Sequence, residues 1–291
     1  MQRKAIYALI FAAFIAGSNG LIIKQVTSMN ASSIAWVRAF VPVLVFSIWM
    51  FQQKVPFFRG NYKKMLGAST INALRMYLYL TAYILTSIGN AVIIFYVWPI
   101  FVALLGMLFL KEKLSKYQIA LIVMAFIGLV IAYSHKTFSF EDHDFLGMLA
   151  SLGAAVGYAI TVIIFKSETP NYNKNEIIFY QNIISVLLFL PMFLIGFPTM
   201  EWGHLGIASI YGLLIGVVVF SLFFFGLKYL NAATTSSLMY LEVVSALILG
   251  HLILKESLEP NMIIGGILIV ISSFLLTRSN KKSPSKEKIT S

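Results

Sequence analysis

The sequence predicts an all-α integral membrane protein of ten transmembrane helices, arranged as two inverted-topology repeats of five. Three observations carry that reading. Of the 291 residues 59% are hydrophobic and 11% charged, with a mean hydropathy of +0.86. Soluble domains carry about 25% charged residues, and so few charges cannot cover a surface in water. The apolar residues also run on for about 20 positions at a time, the length of a bilayer-crossing helix, without the alternation of barrel strands. Finally, LLGMLFLKEKL at 104–114 falls on ILGHLILKESL at 248–258 when the chain is shifted by 144 residues.

The apolar runs place spans at 5–23, 33–51, 67–86, 90–110, 116–134, 145–165, 176–195, 205–227, 233–254 and 261–277. The first follows Met1-Gln2-Arg3-Lys4. It is too long for the apolar region of a signal peptide and no small-residue cleavage site follows, so it reads as a helix. In the fourth span Trp98-Pro99 predicts a kink, since proline removes a helix hydrogen bond. The sixth is rich in small residues (Gly147, Ser151, Gly153, Ala154, Ala155, Gly157) that allow close helix approach. Gln181 and Asn182 in the seventh read equally as cavity donors or as interhelical hydrogen bonds. The segment 279–291 is polar and reads as a disordered cytoplasmic tail.

Lys and Arg orient the spans. With the N-terminus in the cytoplasm, 17 fall inside and 3 (Lys24, Lys136, Lys255) outside. That bias puts both termini in the cytoplasm of the cell inner (plasma) membrane. The net charge of +11 is therefore the mark of cytoplasmic loops, not of nucleic-acid binding. The acidic run Glu141-Asp142-His143-Asp144 falls outside and reads as a solvated loop. Five spans, an odd number, separate the two copies of the repeat. The copies therefore face opposite sides, which is the plan of alternating-access carriers. The halves are 1–138 and 144–278.

Other classes fit poorly. The chain has no cysteine, so disulfides and thiolate metal sites are excluded. Its only aspartates, Asp142 and Asp144, lie in a loop, and His135, His143, His204 and His251 lie at loops or helix ends. No His-Glu-x-x-His pair and no Walker loop is present. No catalytic residue, metal or cofactor is expected. A channel would need rings of polar residues around an axis, which one chain does not show.

Several short motifs fall into place together: Gly17-Ser18-Asn19 and then Lys24 in the first span, Arg38 in WVRAF, and Pro99 followed by the Gly106 to Glu112 turn. Gly147-Met148-Leu149 opens the sixth span, Lys166 closes it, and Glu242 lies in the ninth. With these the sequence resembles the EamA-type family of the drug/metabolite transporter superfamily, over nearly the whole chain. Ala16 stands where that family commonly has Trp, and Val243 where it often has Pro. The resemblance implies a ten-helix carrier of small metabolites, often amino acids or drugs, usually outward and often proton-coupled.

Charge at mid-bilayer costs about 2.5–3.5 kcal/mol, so Arg38, Arg75 and Glu242 each call for a cavity or a partner. Asn72, Tyr79 and Tyr83 share a helix face with Arg75, a setting for a carboxylate or phosphate. The competing reading is an ion pair with Glu242. Glu242, near Ser236, Ser237, Tyr240 and Ser245, is the candidate proton carrier or the partner of Arg75 or Arg38. Arg38 reads as snorkelling or capping carbonyls, with a gate role second. Tyr96 and Trp98 lie deep enough to line a cavity, although helix packing is the commoner explanation for such aromatics. The expected binding set is Arg75, Asn72, Tyr79, Tyr83, Tyr96, Trp98, Glu242 and Tyr240, with Arg38 and Pro99 in gating or packing. The expected function is a secondary transporter, as an exporter, of an amino acid or related anionic or zwitterionic metabolite. Its partners are the substrate, the lipid bilayer and protons. The alternatives are a multidrug, cationic or neutral carrier centred on Glu242 and, further off, a membrane-embedded enzyme.

Overall fold

A computed structural model describes residues 1–26, 28–86, 88–134, 142–255 and 259–280, and these contain helices and connecting turns but no strand. In chain order the helices are α1 (Gln2–Ala16), α2 (Asn19–Lys24), α3 (Ala31–Gln52), α4 (Tyr62–Leu85), α5 (Ile88–Phe95), α6 (Trp98–Phe109) and α7 (Lys116–Ala132). They continue as α8 (Asp142–Glu168), α9 (Lys174–Gly196), α10 (Trp202–Tyr211), α11 (Phe220–Tyr229), α12 (Ala232–Leu238), α13 (Leu241–Leu254) and α14 (Pro260–Asn280). Side chains start several of them. Asn30 accepts from Ser33 N at 2.8 Å, Asn231 accepts from Thr234 N at 3.0 Å, and full capping boxes open α7 (Ser115, Gln118) and α9 (Asn173, Glu176).

Among the described residues, eight segments are long and apolar enough to cross a membrane: 2–23, 31–52, 91–109, 144–168, 174–199, 202–229, 232–253 and 260–279. Helix α7 is apolar but shorter. Helix α4 has 24 residues, but Asn72 and Arg75 at its middle keep its hydropathy low.

Several apolar runs that read as single helices are interrupted. The first breaks at Gly17–Ser18, the fourth at Tyr96–Val97 and the ninth at Met239–Tyr240. The eighth passes through a π-helical stretch at 212–219 between α10 and α11. The ninth breaks without a proline. Its turn is held by tighter bonds, Met239 N to Ser236 O at 3.1 Å and Tyr240 N to Ser237 O at 3.2 Å. In the fourth, Pro99 lies at the start of α6 just behind the break, so the expected kink is a full interruption.

The repeat is visible in the backbone. Lys111 and Lys255, which the 144-residue shift superimposes, follow α6 and α13 in the same left-handed conformation, with φ of 54° and 55°. Tyr96 and Tyr240, also superimposed, sit at the two breaks, and the Tyr240 hydroxyl donates to Tyr96 O at 2.9 Å. Helix packing repeats under the same exchange. The α4–α8 contact is matched by α1–α11, and α6–α8 by α1–α13, while α3 meets its own counterpart α9 and α7 meets α14. The second copy's Glu256 and Leu258 lie outside the described residues, as do Glu141, the Asp142 and His143 side chains, and the tail from 281. Helix α14 continues to Asn280, two residues into the segment read as tail.

Charged side chains stitch one end of the molecule. Lys166 donates to the carbonyls of Leu230 at 2.7 Å and Leu227 at 2.5 Å, at the end of α11. Glu112 accepts from Ala232 N at 2.7 Å, at the start of α12. Burial pushes the Glu112 carboxyl up, against the pull of the Ala232 N–H and the Lys166 charge. Its side chain folds back over Gly106, where a Cβ would stand 3.0 Å from Oε2, which accounts for the glycine six residues before the glutamate. Arg59 grips the buried Glu176 through Nε and Nη2, both at 2.7 Å, and Lys64 meets Glu168 at 2.8 Å.

Adjacent glycines give a controlled test of the α7–α14 contact. A Cβ at Gly265 would collide with Gly128 O and stand 2.6 Å from Ala132 N, whereas one at Gly266 meets nothing within 4 Å. Gly265→Leu is expected to destabilise by about 1–3 kcal/mol through overpacking, and Gly266→Leu by less than about 0.5 kcal/mol. Thermal unfolding of the two variants in detergent compares them directly.

Candidate functional site

Several buried polar side chains meet around Arg75. Arg75 lies at mid-α4 and is 6% exposed. Its Nε donates to Asn72 Oδ1 at 3.1 Å, and Asn72 Nδ2 in turn donates to Gln181 O of α9 at 2.8 Å. The guanidinium carbon stands 4.4 Å from the centroid of Tyr158 on α8, a cation–π contact. Gly157 makes room for it, since a Cβ there would lie 2.9 Å from Arg75 Cβ. Asn72 fixes one edge of the guanidinium and Tyr158 fixes its face. The terminal nitrogens have no hydrogen-bond partner among the described residues.

A second guanidinium lies close by. Arg38 of α3 donates from Nη1 to Met76 Sδ at 3.7 Å, and its carbon stands 5.5 Å from the Phe220 ring. Its Nε is buried without a partner. It therefore caps no carbonyl among the described residues and packs inward, against the helix that carries Arg75. Gly216 in the π-helical stretch allows this approach, because a Cβ there would lie 2.9 Å from Arg38 O. A π-helical stretch is frequent at functional sites.

Glu242 is the acidic member. The break before α13 makes it the second residue of a new helix, where the positive end of the helix dipole favours a carboxylate. Tyr96, at the other break, hydrogen-bonds to it. Among the described residues Glu242 forms no ion pair with Arg75 or Arg38. Its charge and those of both arginines reach the buried phenols Tyr158 and Tyr211, which ties the three into one cluster.

The other expected residues take different places. Tyr79 packs at a tilt against Phe95, with ring centroids 4.3 Å apart, and Phe95 lies 5.9 Å from Tyr96 and 6.0 Å from Tyr158, giving an aromatic wall beside Arg75. Trp98 is buried against Tyr158 at 4.7 Å and supports that wall from behind. Tyr240 is fully buried, with its hydroxyl committed to Tyr96 O. Pro99 is buried at the start of α6. The Tyr83 side chain lies outside the described residues. Tyr158, Tyr211 and Phe95 belong to the cluster but not to the set read from sequence. Periodicity relates residues of one helix, and these reach the site from other helices. Among the described residues no group of three or more His, Asp or Glu side chains could hold a metal.

Comparison with known proteins supplies the wider setting. The model of the EamA-like transporter family matches twice, over residues 3–134 and 145–278. The chain is 24% identical over 270 residues to the pseudopaline exporter CntI of Pseudomonas aeruginosa, covering 90% of this chain and 92% of that one. It is 24% identical over 200 residues to the S-adenosylmethionine uptake transporter of Rickettsia prowazekii, covering 69% and 66%. A solved crystal structure superimposes with a TM-score of 0.83 at 15% identity, over 97% of this chain and 99% of that one.

The Tyr158 ring is testable apart from its hydroxyl. Tyr158→Phe keeps a face beneath Arg75 and is expected to hold ligand affinity within about threefold. Tyr158→Leu removes a desolvated cation–π contact of about 1–2 kcal/mol, a loss of roughly tenfold. Ligand-induced thermal shifts of the two variants measure the difference.

Proposed function

The chain belongs to the EamA-like transporter family, and from that premise we propose that it exports a small zwitterionic or anionic metabolite, such as an amino acid, across the plasma membrane. The carrier has ten spans in two inverted halves, near 1–138 and 144–278, with both termini in the cytoplasm. The observation that carries the reading is the pair of inward guanidinium groups, Arg75 and Arg38, set beside a single carboxylate that neither of them neutralises. A bound carboxylate completes Arg75, whose edge and face are already fixed by Asn72 and Tyr158. An ammonium group on the same substrate turns toward Glu242 and the Tyr79, Phe95 and Tyr96 rings. The outward direction follows the family resemblance and the relative named as an exporter.

Alternating access then needs each end to close in turn. In this conformer the Lys/Arg-rich end carries the ion pairs between the halves that are found among the described residues. Lys166 and Glu112 clamp the α11–α12 turn, Arg59 binds the α3–α4 connection to α9, and Lys64 binds the start of α4 to the end of α8. Glu242 takes a proton on one side and releases it on the other. It hydrogen-bonds to Tyr96 and feels the Arg38 charge without an ion pair to it among the described residues, so its charge changes without breaking one.

Reconstituted protein in liposomes tests this with labelled amino acids. Arg75→Ala is expected to lower exchange about 30-fold or more, the result of losing a buried charged contact worth at least about 2 kcal/mol. Wild-type exchange by that variant would sink the carboxylate contact. Glu242→Gln is expected to keep exchange and lose accumulation driven by a pH gradient, and accumulation by Glu242→Gln at the wild-type rate would remove its proton role. The aromatic wall beside Glu242 favours one competing reading, a carrier of organic cations. Stabilisation by cations alone, undiminished in Arg75→Ala, would establish it instead.

A further inference from the structure

A cavity of about 190 Å³ lies outside this cluster, between the start of α9 and the end of α11. Lys174 and Lys228 line it together with Tyr229, Ile177, Phe224 and Phe225. Both lysines are exposed, and neither they nor the Tyr229 hydroxyl has a hydrogen-bond or ion-pair partner among the described residues. The other polar side chains of the lining hydrogen-bond to the chain itself. No carboxylate lines the cavity. The acids nearby are spent, Glu176 on Arg59 and Glu168 on Lys64. Lys174 is moreover the first residue of α9, where the helix dipole repels a cation, so its position invites an outside anion.

The setting selects the anion. Lys174 opens the apolar stretch 174–199 and Tyr229 closes the stretch 202–229, so the cavity sits where hydrocarbon gives way to headgroups. Ile177, Phe224 and Phe225 lie about one turn deeper than the lysines, on the apolar side. Two ammonium groups and a phenol at headgroup level above an apolar floor match a phosphate diester that carries acyl chains. We propose that this cavity binds the headgroup of an anionic glycerophospholipid, through Lys174, Lys228 and Tyr229, in the leaflet that faces the Lys/Arg-rich end. The site is separate from the central cluster and independent of the substrate assigned to it.

Full-length protein in neutral detergent tests the site by thermal unfolding with added dioleoylphosphatidylglycerol, dioleoylphosphatidylcholine or inorganic phosphate. Phosphatidylglycerol is expected to raise the Tm of wild type by about 3 °C or more, and the other two to leave it unchanged. K174Q/K228Q is expected to lose at least half of that rise. The exposed pair K63Q/K113Q on the same end, away from the cavity, is expected to keep it. Equal shifts with phosphatidylcholine or with inorganic phosphate would overturn the lipid assignment. A loss as large in K63Q/K113Q would overturn the site in favour of bulk charge. Should K174Q/K228Q unfold too early to compare, native mass spectrometry of K228Q alone replaces it, and lipid adducts as abundant as in wild type would overturn the proposal.

Discussion

In hydrocarbon a backbone N–H or C=O without a partner costs several kcal/mol, so a helix that crosses a membrane can be interrupted only where something else supplies the missing bonds. That constraint organises this molecule, because its functional interior is built from interruptions. Groups freed at several of them are answered from elsewhere in the chain. Tyr240 donates to the carbonyl of Tyr96 across the two matched breaks. Ser245 donates to Phe14 O at 2.7 Å, beside the break that ends α1. Lys166 and Glu112 hold the two sides of the α11–α12 turn, one meeting carbonyls and the other N–H groups, each with the sign its helix end requires. Remove these bonds and the breaks become liabilities. With them, Glu242 gains a helix start in the interior and Tyr96 gains the freedom to reach it.

The same economy explains why the two arginines are not simply neutralised. An internal ion pair would have been the obvious way to shelter Arg75. The structure instead gives it one amide oxygen and one aromatic face, and gives Arg38 a thioether and a phenyl ring. Both surroundings hold a guanidinium in place and leave part of its hydrogen-bonding capacity unspent. Groups oriented in this way lose less freedom when a further partner is bound.

Features that live within one helix or in composition were legible in the sequence. The apolar runs, the 144-residue repeat and the Asn72–Arg75 pair at three-residue spacing all belong to this kind. Depth was less legible. A position early in an apolar run suggests snorkelling for Arg38, whereas its guanidinium meets the Met76 thioether and the Phe220 ring, contacts made by other helices. The breaks were also hidden. Val243 offers no proline signal, and the Tyr240 hydroxyl at this break meets a carbonyl 144 residues earlier in the chain. Tyr158 and Tyr211 could not be chosen from among 14 tyrosines, because what marks them is the charge they face and not their neighbours in sequence.

The way the halves lock together bears on how the protein is made. Most of the large helix contacts join a helix of the first half to one of the second. The ribosome delivers the halves in order, and Arg75 enters the membrane while Tyr158 is still roughly 80 residues from synthesis. At about 5–20 residues per second this leaves the guanidinium without its ring for on the order of 10 s. Asn72 waits longer still for Gln181. During that interval α4 is a marginal membrane helix, with only its own asparagine to shelter the charge. Variants that slow the arrival of α8 would therefore lower the amount of protein in the membrane without touching the activity of the molecules that assemble.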